Sequence, residues 1–299
     1  MITASFDYEA PESLEEATRM LHENGEDAKL LAGGHSLLPL MKVRLATPSV
    51  LIDLRKIPGL HGIRQDNGGW RIGPMTRHAD LQETKELGVV SRAASQIADQ
   101  QVRNRGTIGG SLAHGDPASD LPTVLLALDG EVTARGPNGE RTIAASDLFQ
   151  DYLTTSLAHD EVITEVRLPG LERYGFGYQK FARRAEDWAM VGVCALVSRA
   201  PDGTCDDVRI GLTHMGATAL RATAAENALR GGQLDDGSIA AAAEQALRGS
   251  RLDDAAIAGA ADHAADGTDP PGDLNATPDY KRHLARVLTR RALEEAVSV

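Results

Sequence analysis

Leu14, Ala17 and Leu21 recur at helical spacing behind Ser13-Leu14-Glu15-Glu16, where Ser13 can accept from the amide three residues on and Glu16 can reach back. This predicts a helix to about Asn24, stopped by Gly25. Residues 28–32 and 50–54 are apolar runs short enough for buried strands, with a short helical or irregular piece around Pro39 between them. Residues 70–74 read as a strand leaving the Gly68-Gly69 turn, and Thr76 is placed to cap a helix carrying His78, Ala79, Leu81 and Leu87. Helices are expected over 89–98 and 120–128, the second with Leu121, Leu125 and Leu128 on one face. Residues 131–135 and 141–145 flank Gly136-Pro137-Asn138-Gly139 and predict a hairpin, followed by a strand over 160–168. Beyond Pro169-Gly170 the pattern changes to strands over 174–183, 191–197 and 208–213, with Pro201-Asp202-Gly203 as a turn. Alanine-rich helices are then expected at 218–229, 239–247 and 279–296, with 262–277 as a polar surface connection.

Two stretches interrupt this rhythm. Leu30-Leu31-Ala32-Gly33-Gly34-His35-Ser36-Leu37 runs from a strand into two glycines and a hydroxyl, and Ser36 is placed to cap the turn that follows. Arg105-Gly106-Thr107-Ile108-Gly109-Gly110-Ser111 sets a hydroxyl, a glycine pair and a second hydroxyl together, with too many glycines for a helix interior and no alternation for a strand. Glycine lets a ligand approach the backbone, and successive amides released by such a bend can converge on an anion, most simply a phosphate. A single glycine pair after a strand is ordinarily a turn, whereas two such bends in one chain suit a ligand with two phosphates.

Composition narrows the chemistry. A length of 299 residues is enough for two or three modules with their own cores, and the net charge of -12 argues against nucleic acid and against an anionic membrane surface. The first residues carry no basic region followed by an apolar core, and no apolar run is long enough to span a bilayer. A cytoplasmic location is expected, at most peripheral at the inner face of the membrane. Cys194 and Cys205 are the only cysteines, too few for a disulfide framework or a zinc or iron-sulfur cluster, so any cluster exchanging electrons with a ligand held here belongs to a partner. His114-x-Asp116 followed by Asp120 fits no metal-ligand spacing, and neither a metal site nor a catalytic acid, base or nucleophile is assigned.

The motifs AGGHSLLPLMKVR (32–44) and TIGGSLAHGDPASDLP (107–122), with Asp160-Glu161-Val162-Ile163 and residues 178–184, resemble the FAD-binding medium subunit of the molybdenum hydroxylases. This group holds aerobic carbon monoxide dehydrogenase and bacterial xanthine dehydrogenases, and the resemblance covers nearly the whole chain. It implies an α+β fold in three parts: two FAD-binding subdomains of the PCMH type, 1–56 and 57–172, then a C-terminal α/β sandwich domain, 173–299. It implies that Ala32, Gly33, Gly34, His35, Ser36 and Leu37, with Thr107, Ile108, Gly109, Gly110 and Ser111, hold FAD, their amides taking the pyrophosphate. By the same resemblance Asp120 accepts from a hydroxyl or amine of the cofactor, Ile163 lines the flavin site, and Lys180 sets a positive charge near the flavin ring. His35, His114 and Tyr152 are candidates for an exposed flavin face, and Trp188 for packing or partner contact.

The partners implied are a large subunit with a molybdenum-pterin cofactor and a small subunit with two 2Fe-2S clusters, in a dimer of heterotrimers. An external acceptor, quinone, NAD or oxygen, takes the electrons. His35-Ser36-Leu37-Leu38-Pro39 and Arg183-Arg184-Ala185-Glu186-Asp187 look most like the carbon monoxide dehydrogenase branch, although xanthine, aldehyde and N-heterocycle dehydrogenases use nearly the same subunit. Two other classes are a stand-alone flavin oxidase, which needs a substrate pocket and often a covalent flavin-linking residue, and a non-catalytic nucleotide-binding protein.

Overall fold

In a computed structural model of the chain, residues 2–231 and 263–298 are described. The helix expected at 239–247 lies outside them.

The first part is a parallel three-stranded sheet of β1 (Asp7–Glu9), β2 (Ala28–Leu31) and β3 (Val50–Asp53), in the order β1-β3-β2, with helices α1 (Leu14–Asn24) and α2 (Leu37–Lys42) in the connections. Ser13 caps α1 by accepting from the Glu16 amide at 3.1 Å, but the Glu16 carboxylate takes the amide of Glu12 instead of returning to Ser13. Gly25, at φ +54°, ends the helix. Ala17 and Leu21 bury the apolar face of α1 against Ala28 and Ile52. β1 is exposed at every residue and sets Tyr8 between two acids, so no apolar pattern marks it; its backbone pairing to β3, with Tyr8 donating to Asp53 of that strand, makes it a strand.

The second part is an antiparallel sheet in the order β4-β5-β10-β6-β7, built from β4 (Ile63–Asp66), β5 (Gly69–Ile72), β6 (Glu131–Gly136), β7 (Gly139–Ala144) and β10 (Val162–Leu168). A small hairpin, β8 (Phe149–Asp151) and β9 (Thr154–Thr155), precedes β10. Helices α3 (His78–Glu83), α4 (Val89–Ala94), α5 (Gln100–Arg103), α6 (Ile108–His114) and α7 (Asp120–Ala127) lie between β5 and β6, and α8 (Ala145–Leu148) follows β7. Thr76 does not cap α3, which begins after Arg77. Its hydroxyl accepts from the Gly62 amide (3.0 Å) and donates to the Gly62 carbonyl (3.1 Å), pinning the loop before β4.

Residues 108–114 form a helix, against the expectation of an irregular bend. A Cβ on Gly109 would fall 2.4 Å from the Pro74 side chain and 2.8 Å from the Pro74 carbonyl oxygen, so the glycine is what lets α6 press onto that turn. Two glycines cost a helix about 2 kcal/mol against alanine, a preference that close packing overrides.

The third part is an antiparallel sheet, β11 (Gly175–Phe181), β12 (Val191–Arg199), β13 (Cys205–Thr213) and β14 (Leu220–Arg221), in chain order, with α9 (Thr223–Leu229) and the long α10 (Pro278–Ser298). The helix expected from 218 starts only at 223, because Leu220 and Arg221 pair with β13 as an edge strand. β12 is apolar without alternation because both its faces are covered. Val191, Val193, Ala195 and Val197 share a core with Leu284, Leu288 and Ala292 of α10, while Cys194 and Leu196 share one with Leu121, Val124 and Leu125 of α7.

Candidate functional site

β2 releases the chain at Leu31, and Gly34 takes φ +77° to turn it. A Cβ on Gly33 would lie 2.3 Å from the Arg105 carbonyl oxygen and 2.7 Å from the Gly106 Cα, so the first glycine bend rests directly on the second. The second is held by a bridge between Arg77 and Thr107. The His78 amide donates to the Gly106 carbonyl (3.0 Å) and the Ile108 amide to the Thr76 carbonyl (3.1 Å).

The two bends offer different donors. Among the described residues, the amides of Gly33, Gly34, His35 and Ser36 make no hydrogen bond, which leaves a run of consecutive uncommitted donors. In the second bend the amides after Thr107 are already used: Ile108 on the Thr76 carbonyl (3.1 Å), Gly109 on the Pro74 carbonyl (2.8 Å), Gly110 on Thr107 Oγ1 (3.2 Å) and Ser111 on the Thr107 carbonyl (3.0 Å). What it presents is the Thr107 amide and hydroxyl proton and the Ser111 hydroxyl, which has no partner among the described residues. Ser36 sits before α2 but its hydroxyl does not cap the helix and is likewise uncommitted. His35 folds back so that Nδ1 lies 3.1 Å from the Gly33 carbonyl, a geometry in which Nδ1 carries the proton.

A cleft of about 550 Å³ opens between the bends. It is lined by Ala32, Gly33, Gly34, His35, Ser36, Leu37, Thr107, Gly109, Gly110, Ser111, Asp120, Ile163 and Lys180, so thirteen of the fourteen positions assigned to FAD from the sequence are brought together. Ile108 is the exception, its side chain packed in the core with Leu112. His114 and the half-exposed Trp188 also border the cleft, whereas Tyr152 does not.

Asp120 and Lys180 form the buried far wall. Ser119 takes the N-cap position of α7, which frees the Asp120 carboxylate to turn inward. Lys180 Nζ donates to Asp120 Oδ2 (2.8 Å) and to the Gln96 carbonyl (3.0 Å), and the Tyr178 hydroxyl donates to Asp120 Oδ1. Burial pushes the Asp120 carboxyl up, and the Lys180 charge and hydrogen bond oppose it. Burial, reinforced by the Asp120 charge, raises Tyr178 well above the ordinary phenol range and keeps it a donor. Tyr178 was not among the residues singled out. Its signal is the period of two on β11, which puts it on the same face as Lys180. His78, buried at the seam between the bends, was read only as a helix residue.

The family described as "FAD binding domain in molybdopterin dehydrogenase" matches residues 4–171, and that described as "CO dehydrogenase flavoprotein C-terminal domain" matches 176–244 and 238–296. The chain is 41% identical to the carbon monoxide dehydrogenase medium chain of Hydrogenophaga pseudoflava, over 99% of this chain and 98% of that one. It is 39% identical to the 6-hydroxypseudooxynicotine dehydrogenase complex subunit alpha of Paenarthrobacter nicotinovorans, over 98% and 95%. The solved structure of carbon monoxide dehydrogenase from Hydrogenophaga pseudoflava superposes with a TM-score of 0.91 at 41% identity, covering 100% of this chain and 99% of that one. The paired glycine bends therefore belong to a member of the FAD-binding, medium-subunit family of the molybdenum-containing dehydrogenases.

Proposed function

We propose that this chain is the FAD-bearing electron-transfer subunit of a molybdenum hydroxylase of the carbon monoxide dehydrogenase branch. The observation that carries the reading is the contact of the two bends at Gly33 and Gly106, which sets the uncommitted amides of 33–36 and the hydroxyls of Thr107 and Ser111 around one cleft. The residues fit the cofactor. Neutral amide and hydroxyl dipoles can hold a diphosphate without an arginine clamp, and the cleft volume lies within the about 300–1,000 Å³ usual for small-molecule sites.

FAD bound there supplies a carrier able to take electrons one at a time from iron-sulfur clusters and release them to an acceptor. The chain's own residues position and tune it: the first bend donates to the diphosphate, Asp120 offers its remaining lone pairs to a hydroxyl or amine, and Lys180 sets the local charge. None of the described residues is assigned as a substrate acid or base, and substrate choice is placed with a large subunit carrying the molybdenum-pterin cofactor. A small subunit with two 2Fe-2S clusters delivers the electrons, the assembly is a dimer of heterotrimers, and quinone, NAD or oxygen removes them. The division at 1–56, 57–172 and 173–299 separates the two walls of the cleft from the part that contributes Lys180. No helix among the described residues is long and apolar enough to cross a membrane, which accords with a cytoplasmic complex.

The test is co-expression with the neighbouring subunits, followed by affinity purification through this chain and flavin, iron and molybdenum analysis. One FAD, four irons and one molybdenum per chain are expected. A colourless chain that purifies alone would refute the reading.

A further inference from the structure

His78 is the one polar side chain at the seam of the bends to which the family reading gives no task. It is 5% exposed, and its Nδ1 is sealed from solvent with no hydrogen-bond partner. A buried, unsatisfied polar atom costs about 1–3 kcal/mol, so its persistence calls for a physical reason. The ring is clamped from above by the second bend: a Cβ on Gly106 would sit 2.6 Å from Cδ2 and 2.8 Å from Nε2 of His78. Gly106 also touches the first bend, a Cβ on Gly33 falling 2.7 Å from its Cα, so the second bend contacts both the imidazole and the first bend. His78 borders the cleft, and because Nδ1 is buried, the edge that reaches the cleft is the Nε2 edge.

We propose that His78 is a binding residue for the dinucleotide, its neutral ring donating Nε2–H to the diphosphate beside the amides of the first bend. The inference rests on the reading of this cleft as an FAD site. Donors of one kind converge here, uncommitted amides on one bend and hydroxyls on the other, so the ligand group they enclose is rich in acceptors. Burial first, then the charges of His35 and Arg103, hold His78 down at about 4, so the ring stays neutral at physiological pH and presents a single N–H. With its proton on Nε2 the ring leaves Nδ1 as an idle lone pair in the interior. Gly106 accordingly makes room for the ring, since a Cβ there would press on the imidazole and on the Val102 carbonyl.

Three full-length forms decide the matter: wild type, His78→Phe, which keeps an apolar ring under Gly106, and His78→Gln, which restores an N–H near the Nε2 position. Binding of FAD, and of ADP as a probe carrying the diphosphate without the flavin, is read by fluorescence and calorimetry. His78→Phe should bind both about 10-fold or more weakly, as expected for a lost hydrogen bond to a charged group, and His78→Gln should recover most of that. Unchanged affinity in His78→Phe overturns the proposal, and so does a loss confined to FAD, which would move the contact to the flavin half. A wild type that binds neither nucleotide overturns the FAD reading itself. Should His78→Phe fail to fold, histidine NMR on the wild type decides: the ring's titration midpoint should rise by about one pH unit or more on adding ADP, and an unmoved midpoint overturns the proposal.

Discussion

Lys180 holds a charge where solvent barely reaches it, its side chain 6% exposed, and it tolerates this because Asp120 lies 2.8 Å away. The pair is strongly coupled, so each substitution exposes the charge of the other. Asp120→Asn leaves a lone cation against the cleft and should raise the midpoint potential of bound flavin. Lys180→Met removes the cation and should lower it, by about 30 mV, which is ~1.4 kcal/mol for a two-electron couple. Spectroelectrochemistry of the two variants should therefore show opposite signs, and shifts of the same sign would eliminate the electrostatic account. Stability should respond unevenly as well. Asp120→Asn strands a buried ammonium and should cost about 3 kcal/mol or more in denaturant unfolding. The sequence points separately to Asp120 and to Lys180. What it does not carry is their union, since sixty residues separate them and only the packing of α7 against the third sheet brings them together.

The glycines work through the elements they let touch, and they are not equivalent. Gly33 meets rigid backbone, the Arg105 carbonyl at 2.3 Å, while a Cβ on Gly110 would meet only the Thr107 hydroxyl at 2.9 Å and the Ala32 methyl at 3.6 Å. Backbone cannot yield locally, whereas a hydroxyl can rotate away. Gly33→Ala should separate the bends and cut the flavin content of purified protein about tenfold or more. Gly110→Ala should keep most of it, and Gly110→Val, which branches toward Ala32, should fall between. Absorbance at the flavin band against protein supplies the measurement, and full flavin retention by Gly33→Ala would mean the bends do not share a ligand. Both motifs are visible in the sequence as departures from strand and helix periodicity. The helical state of residues 108–114 is not, because what favours it is Pro74, a distant turn that only glycine can approach. The strands β1, β8 and β9 escape for a related reason: short and largely exposed, they owe their existence to backbone pairing partners.

At the scale of the molecule, the second and third parts are fastened where β12 serves two cores and where a buried polar cluster joins α10 to the second part. Lys281 of α10 is wholly buried, with Asp273 at 2.7 Å and His214 Nε2 at 3.3 Å. His214 Nδ1 lies 2.8 Å from the Ala189 carbonyl, and its amide donates to the Pro117 carbonyl at 2.8 Å, so the cluster reaches the loop just before α7. The double use of β12 is legible in its unbroken apolar run, but this cluster is not, because an Asp, a Lys and a His scattered over 67 residues leave no pattern. Burial pushes the Asp273 carboxyl up, yet the Lys281 hydrogen bond and the amides of Asn275 and Ala276 outweigh it and hold the group at about 2, against 3.8 when unfolded. A carboxyl depressed by folding stabilises in full above its unfolded value and loses that contribution as pH falls through its folded one. The stabilisation from Asp273 should thus be complete above about pH 4 and fade toward about pH 2. Asp273→Asn leaves Lys281 without its counter-ion. Since Asp273 keeps about a third of its side chain exposed, the cost at neutral pH should fall below the ~3–5 kcal/mol of a fully buried pair. Thermal unfolding of both forms from pH 7 to pH 2 checks the sign: the gap in Tm should hold steady to about pH 4 and then close. A gap that stays constant to pH 2 would show that Lys281 is kept in the core by packing alone.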